Sequence, residues 1–409
     1  MANRIKKKEP RLGKKKVIDE DVYSLAVKRI DRAYELMDTI IVMFSGGKDS
    51  TACLNLVLDA AKKRNIKKVE VHFFDEEAIP YETEEYVRRV SKIPEVDLKW
   101  WCLPVRHRNA CSVTSPWWFP YAPEDKEKWV RPLPPEGLTE LKGYPKEIKN
   151  RITIPEINGL LFPANEYGNV GVVMGIRASE SLTRTRAILN SKTRDDTHII
   201  KFDDGTSQGN IFKIYPVYDW QTSDIWTAPR KFNWDYNTAY DVMDKMGIKP
   251  DSQRCAPPYG EEPMRGLYQF KECFPNIWGK MSMRVEGSAT AARYSNTVLY
   301  AARKVPEKPE NINWQDFIIY WIKKHPEKYQ SQVSNRVKGF MVTHRNKTKD
   351  PILKTPHPST GIGWDFLLKI AVRGDYKDRQ TANWANDDKD YIKMKGKYNA
   401  ERYNQPTHK

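Results

Sequence analysis

The stretch TIIVMFSGGKDS, residues 39–50, decides the fold of this chain. Its first six residues are apolar or β-branched, which favours a buried strand. Glycines at 46 and 47 break that pattern, and residues 48–62 then have the spacing of an amphipathic helix. A glycine turn between a strand and a helix directs backbone N–H groups at a phosphate, and the helix N-terminus adds partial positive charge. The stretch therefore predicts a phosphate-binding loop.

The loop differs from the Walker A loop of many nucleotide-binding proteins. That pattern needs glycine, four residues, then Gly-Lys-Ser/Thr, whereas here Asp49 follows Lys48 and Val42 occupies the first glycine position. Hydroxyl groups and a lysine ammonium are nevertheless available to phosphate oxygens. The predicted phosphate ligands are Ser45, Gly46, Gly47, Lys48, Asp49 and Ser50.

Working outward from the loop, apolar strand patterns alternate with helical ones. This alternation predicts an α/β fold with a doubly wound, mostly parallel sheet. The predicted strands are 39–44, 69–74, 96–103, 170–175 and 211–215, and the predicted helices around them are 20–37, 48–62 and 81–91. Beyond residue 232 the pattern turns helical, with candidates at 236–246, 263–273, 314–324 and 327–340.

Three regions follow from this pattern. Residues 1–18 form a basic N-terminal tail, and residues 19–230 form the nucleotide-binding α/β domain. A segment at about 104–163, rich in proline, tryptophan and lysine, interrupts the domain as an insertion. Residues 231–409 are predicted to form a mainly helical C-terminal domain of unknown function.

Composition narrows the class of protein. The 409 residues include 69 basic and 53 acidic ones, a net charge of +16, which favours a phosphate-bearing partner such as a nucleotide or nucleic acid. Alternatively, much of the excess lies in a solvated tail. No apolar run approaches the ~20 residues of a membrane helix. The five cysteines are scattered, so neither a disulfide scaffold nor a metal–sulfur site is expected, and a cytoplasmic location is predicted.

Other candidate residues follow the predicted strands. The carboxyl ends of parallel strands meet at one edge of a sheet, so Asp75, Gly175 and Arg177 should lie near the loop. Asp75 could hold Mg²⁺ or accept hydrogen bonds from adenosine; alternatively it is a solvated strand-end acid. Arg177 could face an anion as a planar fork; alternatively it pairs with Glu180.

These segments resemble a known superfamily. SGGKDS resembles the PP-loop of the N-type ATP pyrophosphatases. Further segments resemble motifs of its phosphoadenosine phosphosulfate (PAPS) reductase branch: PYET at 80–83, GIRASES at 175–181, and YPVYDW at 215–220 with DIW at 224–226. They occur in the family's order over about residues 20–230.

The resemblance implies an adenine nucleotide alpha hydrolase-like fold that binds ATP with Mg²⁺. Carried over residue by residue, it implies catalytic roles for Lys48, Arg177 and Asp75. The implied nucleotide contacts are the six loop residues together with Asp75, Gly175 and Arg177.

The chain departs from the PAPS reductases at two places. Their catalytic Glu-Cys-Gly-Leu-His motif is reduced to Glu272-Cys273, and Asp75-Glu76-Glu77 stands where they have Asp-Thr-Gly. The cysteine pairs of iron–sulfur versions are missing as well. Reduction of PAPS is therefore an alternative rather than the first hypothesis.

The C-terminal part resembles a different group. Segments at 257–260, 265–267 and 278–294 are similar to the uncharacterised C-terminal domain of phage and mobile-element proteins, among them the immunoglobulin-binding regulator A proteins. This resemblance implies a companion protein with a ParB/sulfiredoxin-like domain.

The function predicted from sequence is cleavage of ATP between its α- and β-phosphates, in sulfur or nucleic-acid modification chemistry. One alternative is a nucleic-acid-associated regulatory protein with a regulatory or vestigial nucleotide site. It is motivated by the charge of +16, the basic tail and the abundant aromatic residues, 13 Trp and 21 Tyr. The other is the sulfonucleotide reductase.

Overall fold

A computed structural model describes most of the chain. The described residues are 18–112, 114–180, 184–185, 188, 198–202, 208–260, 266–294 and 306–374. Nearly all of the predicted basic tail, Ser181 of the GIRASES segment and Arg265 lie outside them. The chain divides into two compact units, Met1–Arg293 and Tyr294–Lys409.

The first unit is built around a six-stranded sheet. In chain order its elements are α1 (Val22–Leu36), β1 (Thr39–Met43), α2 (Lys48–Lys63), β2 (Val69–Phe74), α3 (Tyr81–Ser91), β3 (Val96–Trp101), β4 (His107–Arg108), β5 (Trp117–Trp118), α4 (Ile154–Leu161), α5 (Ala164–Tyr167), β6 (Val170–Val173), β7 (Ile199–Lys201), β8 (Ile211–Ile214), α6 (Thr222–Phe232), α7 (Ala239–Lys245), α8 (Leu267–Cys273), α9 (Pro275–Arg284) and α10 (Ser288–Tyr294).

The strand order of the large sheet is β3-β2-β1-β6-β8-β7. Every pairing in it is parallel except that of β7 with β8, which is antiparallel. The predicted α/β class with a mostly parallel sheet is therefore confirmed. The strand order reverses between β1 and β6, and ligands of open α/β sheets bind at such a switch point.

Strand β1 is buried on both faces, as a doubly wound sheet requires. Ile40 and Val42 belong to one apolar core, which also includes residues of α1, α2 and α3. Ile41 points the other way, into a second core with Ile157 and Leu161 of α4. Alternate side chains of a strand leave on opposite faces, so the unbroken apolar run TIIVM can support two helical layers.

Residues beyond α6 also belong to the first compact unit. The first unit continues to Arg293 and includes residues 231–293, which the sequence analysis assigned to the C-terminal domain. The reason is tertiary contact: Gln253 and Tyr240 of this stretch bind the glycine loop that follows β1. Strand β7 was not predicted, because three residues are too few to show the apolar spacing of a strand.

The second unit is helical in its described part. It contains α11 (Trp314–Lys323), α12 (Glu327–Lys347) and α13 (Trp364–Arg373). Their apolar faces form one core that includes Phe317 of α11, Val333 of α12 and Leu367 of α13. No helix among the described residues of either unit is long and apolar enough to cross a membrane.

Candidate functional site

The glycine loop lies where the sequence places it, between β1 and α2. Gly46 has φ +71°, a left-handed conformation that glycine adopts without strain. A Cβ there would also lie 3.0 Å from Cγ2 of Thr83. Gly47 is the N-cap of α2, a helix of 16 residues, and supplies no side-chain oxygen as a cap. The first N–H groups of a helix have no intrahelical acceptor, so the loop exposes donors to a ligand.

The loop serines hold this conformation. The Ser45 amide donates to the Ser50 hydroxyl oxygen over 3.2 Å, and the two hydroxyl oxygens are 3.1 Å apart. The Ser50 hydroxyl in turn donates to the carbonyl oxygen of Gly47 over 2.9 Å. Hydrogen bonds of its own serine side chains thus stabilise the conformation of the loop.

Gly175 is required because the backbone after β6 passes directly against the start of α2. A Cβ on Gly175 would lie 2.6 Å from the carbonyl carbon of Asp49 and 2.7 Å from the amide nitrogen of Ser50. Both atoms are backbone, so neither can rotate away. The predicted site residue Gly175 therefore acts by close packing on the loop.

Gly175→Ala should lower the free energy of unfolding by about 1–3 kcal/mol, the usual cost of overpacking. Urea unfolding measures the change. Gly279→Ala is the matched control: Gly279 lies in α9, and a Cβ added there would have nothing within 4 Å. That control should stabilise by up to about 1 kcal/mol, since alanine favours helix. Equal effects at both positions would contradict the packing role.

Lys48 is the buried cation of the loop. Its side chain is 7% exposed, and its ammonium donates to the carbonyl oxygen of Gln253 over 2.9 Å. The ammonium also lies 5.2 Å from the ring centroid of Tyr240, whose hydroxyl accepts from the Lys48 amide over 2.9 Å. Burial lowers the pKa of Lys48, partly opposed by the nearby carboxylate of Asp49.

Arg177 lies beside the loop and is already engaged by carboxylates. Its Nε donates to Asp49 over 2.5 Å, and one terminal nitrogen lies 3.6 Å from Glu180. The other terminal nitrogen donates to Ser179 and Thr222 hydroxyls. Only 2% of the residue is exposed. Arg177 therefore stabilises the start of α2, and the carboxylate of Asp49 is engaged in the same ion pair.

Asp75 is not brought to the cleft, contrary to expectation. It is 1% exposed, and Nη2 of Arg131 contacts both of its oxygens at 2.7 Å. The indole of Trp100 and the amide of Glu77 also donate to it. These four contacts leave no open oxygen for adenosine or a metal ion, so Asp75 has a structural place in the fold.

The next residue, Glu76, lines the cleft instead. One of its oxygens lies 3.3 Å from Nδ1 of His107, on the short strand β4. Burial, reinforced by the charge of Asp75, raises the pKa of Glu76 to about 7. Burial also lowers the pKa of His107 to about 4, so the imidazole is neutral near neutral pH.

Glu76→Gln should stabilise the protein in a pH-dependent way. The folded pKa is raised above the unfolded value, so ionisation of Glu76 costs stability as pH rises from about 4.5 to 7. We expect the glutamine variant to gain on the order of 2 kcal/mol at pH 8 and little at pH 4.5. Urea unfolding at both pH values measures this. Glu35→Gln, on the exposed side of α1, should show no such dependence; a pH-independent effect of Glu76→Gln would contradict the interpretation.

The cleft at the switch point has a volume of about 360 Å³. It brings together loop residues, Gly175, Glu76 and Glu180 with residues that sequence reasoning missed. The missed residues are Tyr240, Gln253, Arg254 and Cys255, which lie about 190 to 210 positions after the loop and carry no recognisable motif. Burial raises the pKa of the Cys255 thiol to about 11, so it is protonated in the cleft.

Among the described residues, the carboxylates of Asp75 and Asp49 are both engaged by arginines rather than open to Mg²⁺. Asp75, the predicted ligand, is enclosed by Arg131, and Asp49 is paired with Arg177. Across the described part of the chain, no group of three or more His, Cys, Asp or Glu side chains is placed to hold a metal ion.

Comparison with known proteins gives relatives of unknown function. A family model described as a domain of unknown function (DUF3440) matches residues 247–348. The chain is 26% identical over 368 residues to the uncharacterized protein YbdN of Escherichia coli (strain K12). That alignment covers 87% of this chain and 89% of YbdN.

Two solved structures of other proteins are similar to about half of this chain. Candida glabrata FMN adenylyltransferase is 14% identical with a TM-score of 0.34, over 54% of this chain and 57% of the adenylyltransferase. The PAPS reductase from Candida auris, in its phosphate complex, is 15% identical with a TM-score of 0.28, over 56% of this chain and 94% of the reductase. Neither is similar enough to transfer an activity to this chain.

Proposed function

We propose that this protein is an enzyme that binds ATP at the 45–50 loop and cleaves it between the α- and β-phosphates. The observation that carries the proposal is the loop itself. A left-handed glycine, a glycine N-cap and a buried lysine stand at the start of a 16-residue helix. They lie at the carboxyl end of β1, beside the point where strand order reverses.

The groups at the start of α2 have defined roles in this reaction. The backbone amides at the start of α2 and the ammonium of Lys48 hold the departing pyrophosphate and stabilise its charge. In the described structure, the Tyr240 hydroxyl and the Gln253 carbonyl occupy these donors. Phosphate oxygens would replace both of these acceptors. Arg177 acts as a positioning residue through Asp49.

The acceptor attacks the α-phosphorus while the bond from that phosphorus to the bridging oxygen breaks. The proton of the acceptor passes to Glu76, which lines the cleft and has a pKa near 7. Mg²⁺ enters as the counter-ion of the ATP phosphates and is thus part of the substrate. The acceptor belongs to sulfur or nucleic-acid modification chemistry.

The products of the reaction test the proposal. With ATP and Mg²⁺, and water as acceptor, the protein should release AMP and pyrophosphate. The α,β-methylene analogue should bind without being cleaved, because its bridging oxygen is replaced by carbon. Release of ADP and phosphate would contradict cleavage at the α-phosphate.

A further inference from the structure

A second cavity of about 720 Å³ lies between α6 and α7 of the first unit. We call it the α6–α7 pocket and define it by Trp226, Arg230, Trp234, Tyr236, Tyr240 and Asp244. Four of these six residues are aromatic. Trp226 meets both tyrosines edge to face, with ring centroids 6.0 Å from Tyr236 and 5.0 Å from Tyr240. The proposed reaction at the loop makes no use of this pocket.

The charges of the pocket restrict what it can hold. Asp241 also lines it, but both of its oxygens accept from the Tyr236 hydroxyl, at 3.1 and 3.3 Å. Asp244 and Arg230 are exposed and contribute one charge of each sign. A purely apolar ligand would leave both charged groups unused, whereas a polar ligand with a hydrogen-bond donor could engage Asp244.

We propose that the α6–α7 pocket binds a nucleobase that carries an exocyclic amine. The base would lie against the aromatic side chains, as bases do in single-strand-binding proteins. Asp244 would accept a hydrogen bond from the amine, and Arg230 would stack on the base or pair with an adjoining phosphate. The base could belong to a free nucleotide or to a single strand of nucleic acid.

The pocket adjoins the glycine loop through a shared wall. Tyr240 and Gln253 line both the α6–α7 pocket and the loop cleft. These are also the two residues that bind Lys48, one at its amide and one at its ammonium. A base in the pocket would therefore lie one side chain away from the loop, as a second ligand beside the first.

Calorimetric titration with cytidine and uridine tests the proposal, because uridine has a carbonyl oxygen where cytidine has its amine. Cytidine should bind saturably, and about tenfold more tightly than uridine. It should still bind saturably to Lys48→Ala, which removes the ammonium of the loop. Trp226→Leu should weaken cytidine binding by about tenfold or more. Trp278→Leu, the same change on α9 outside the pocket, should leave it unchanged.

Asp244→Asn keeps the test decisive if Trp226→Leu unfolds, since Asp244 is exposed. It should abolish the preference for cytidine. A deoxycytidine oligonucleotide of about ten residues identifies the source of the base. Binding at least tenfold tighter than cytidine, and weakened by salt, indicates a strand; equal binding indicates a free nucleotide. Absent nucleoside and oligonucleotide binding, or binding insensitive to both Trp226→Leu and Asp244→Asn, would overturn the proposal.

Discussion

Lys48→Ala is expected to weaken ATP binding by about a hundredfold. The lysine is 7% exposed and lies at the first position of α2, so its ammonium meets phosphate oxygens in a partly dehydrated cleft. A hydrogen bond to a charged group under such conditions contributes about 1.5–3 kcal/mol, which corresponds to roughly 10- to 150-fold in affinity. Equilibrium dialysis with labelled ATP measures the change.

Lys62→Ala is the matched control for this prediction. Lys62 is exposed and lies in the last turn of the same helix, so the substitution removes the same charge far from the loop. Its ATP affinity should equal that of the wild type. Lys48→Met preserves the packing of the aliphatic stem and should still lose binding. Equal affinity in the Lys48 and Lys62 variants would show that ATP binds elsewhere.

Arg131→Met should reduce the free energy of unfolding by about 3–5 kcal/mol. The Arg131 side chain is fully buried, and its guanidinium contacts both oxygens of Asp75 at 2.7 Å. Its Nε also donates to the carbonyl oxygen of Glu77 over 2.9 Å. Removing one partner of a buried ion pair leaves the other charged and dehydrated, which is the costly change. Urea unfolding measures the loss.

Two further variants distinguish the effect of the buried ion pair from that of an exposed ion pair. Arg89→Met breaks the exposed pair of Arg89 with Asp235 and should cost less than about 1 kcal/mol. Adding Asp75→Asn to Arg131→Met removes the orphaned charge and should recover part of the lost stability. A loss of less than about 1 kcal/mol in Arg131→Met would contradict the structural role assigned to Asp75.

The order of strands and helices in the first unit is predicted well, because the spacing of apolar residues that indicates each element lies within a short stretch of sequence. Strand 69–74 and helix 81–91 coincide with β2 and α3 to the residue. The loop at 45–50 was predictable for the same reason: a strand, two glycines and a helix follow each other directly in the chain.

The side chains of the site were predicted less completely than the fold. That ligands bind beyond the carboxyl ends of strands places a residue near the site, but it does not say where the side chain of that residue points. Asp75 and Glu76 are neighbours at the end of β2, yet Asp75 turns inward to Arg131 while Glu76 lines the cleft. Arg131 comes from the insertion, and Tyr240 comes from beyond the predicted domain boundary. Such contacts depend on tertiary packing between distant segments, which no local pattern encodes.

Calorimetric titration of the wild-type protein with ATP, the α,β-methylene analogue and PAPS, each with Mg²⁺, tests whether the 45–50 loop is an ATP site. We expect saturable binding of ATP and of the analogue with similar affinity, since both present the same phosphate charges to the loop. PAPS should bind more weakly than ATP. No binding of ATP or its analogue, or preferential binding of PAPS, would contradict an ATP site at the 45–50 loop.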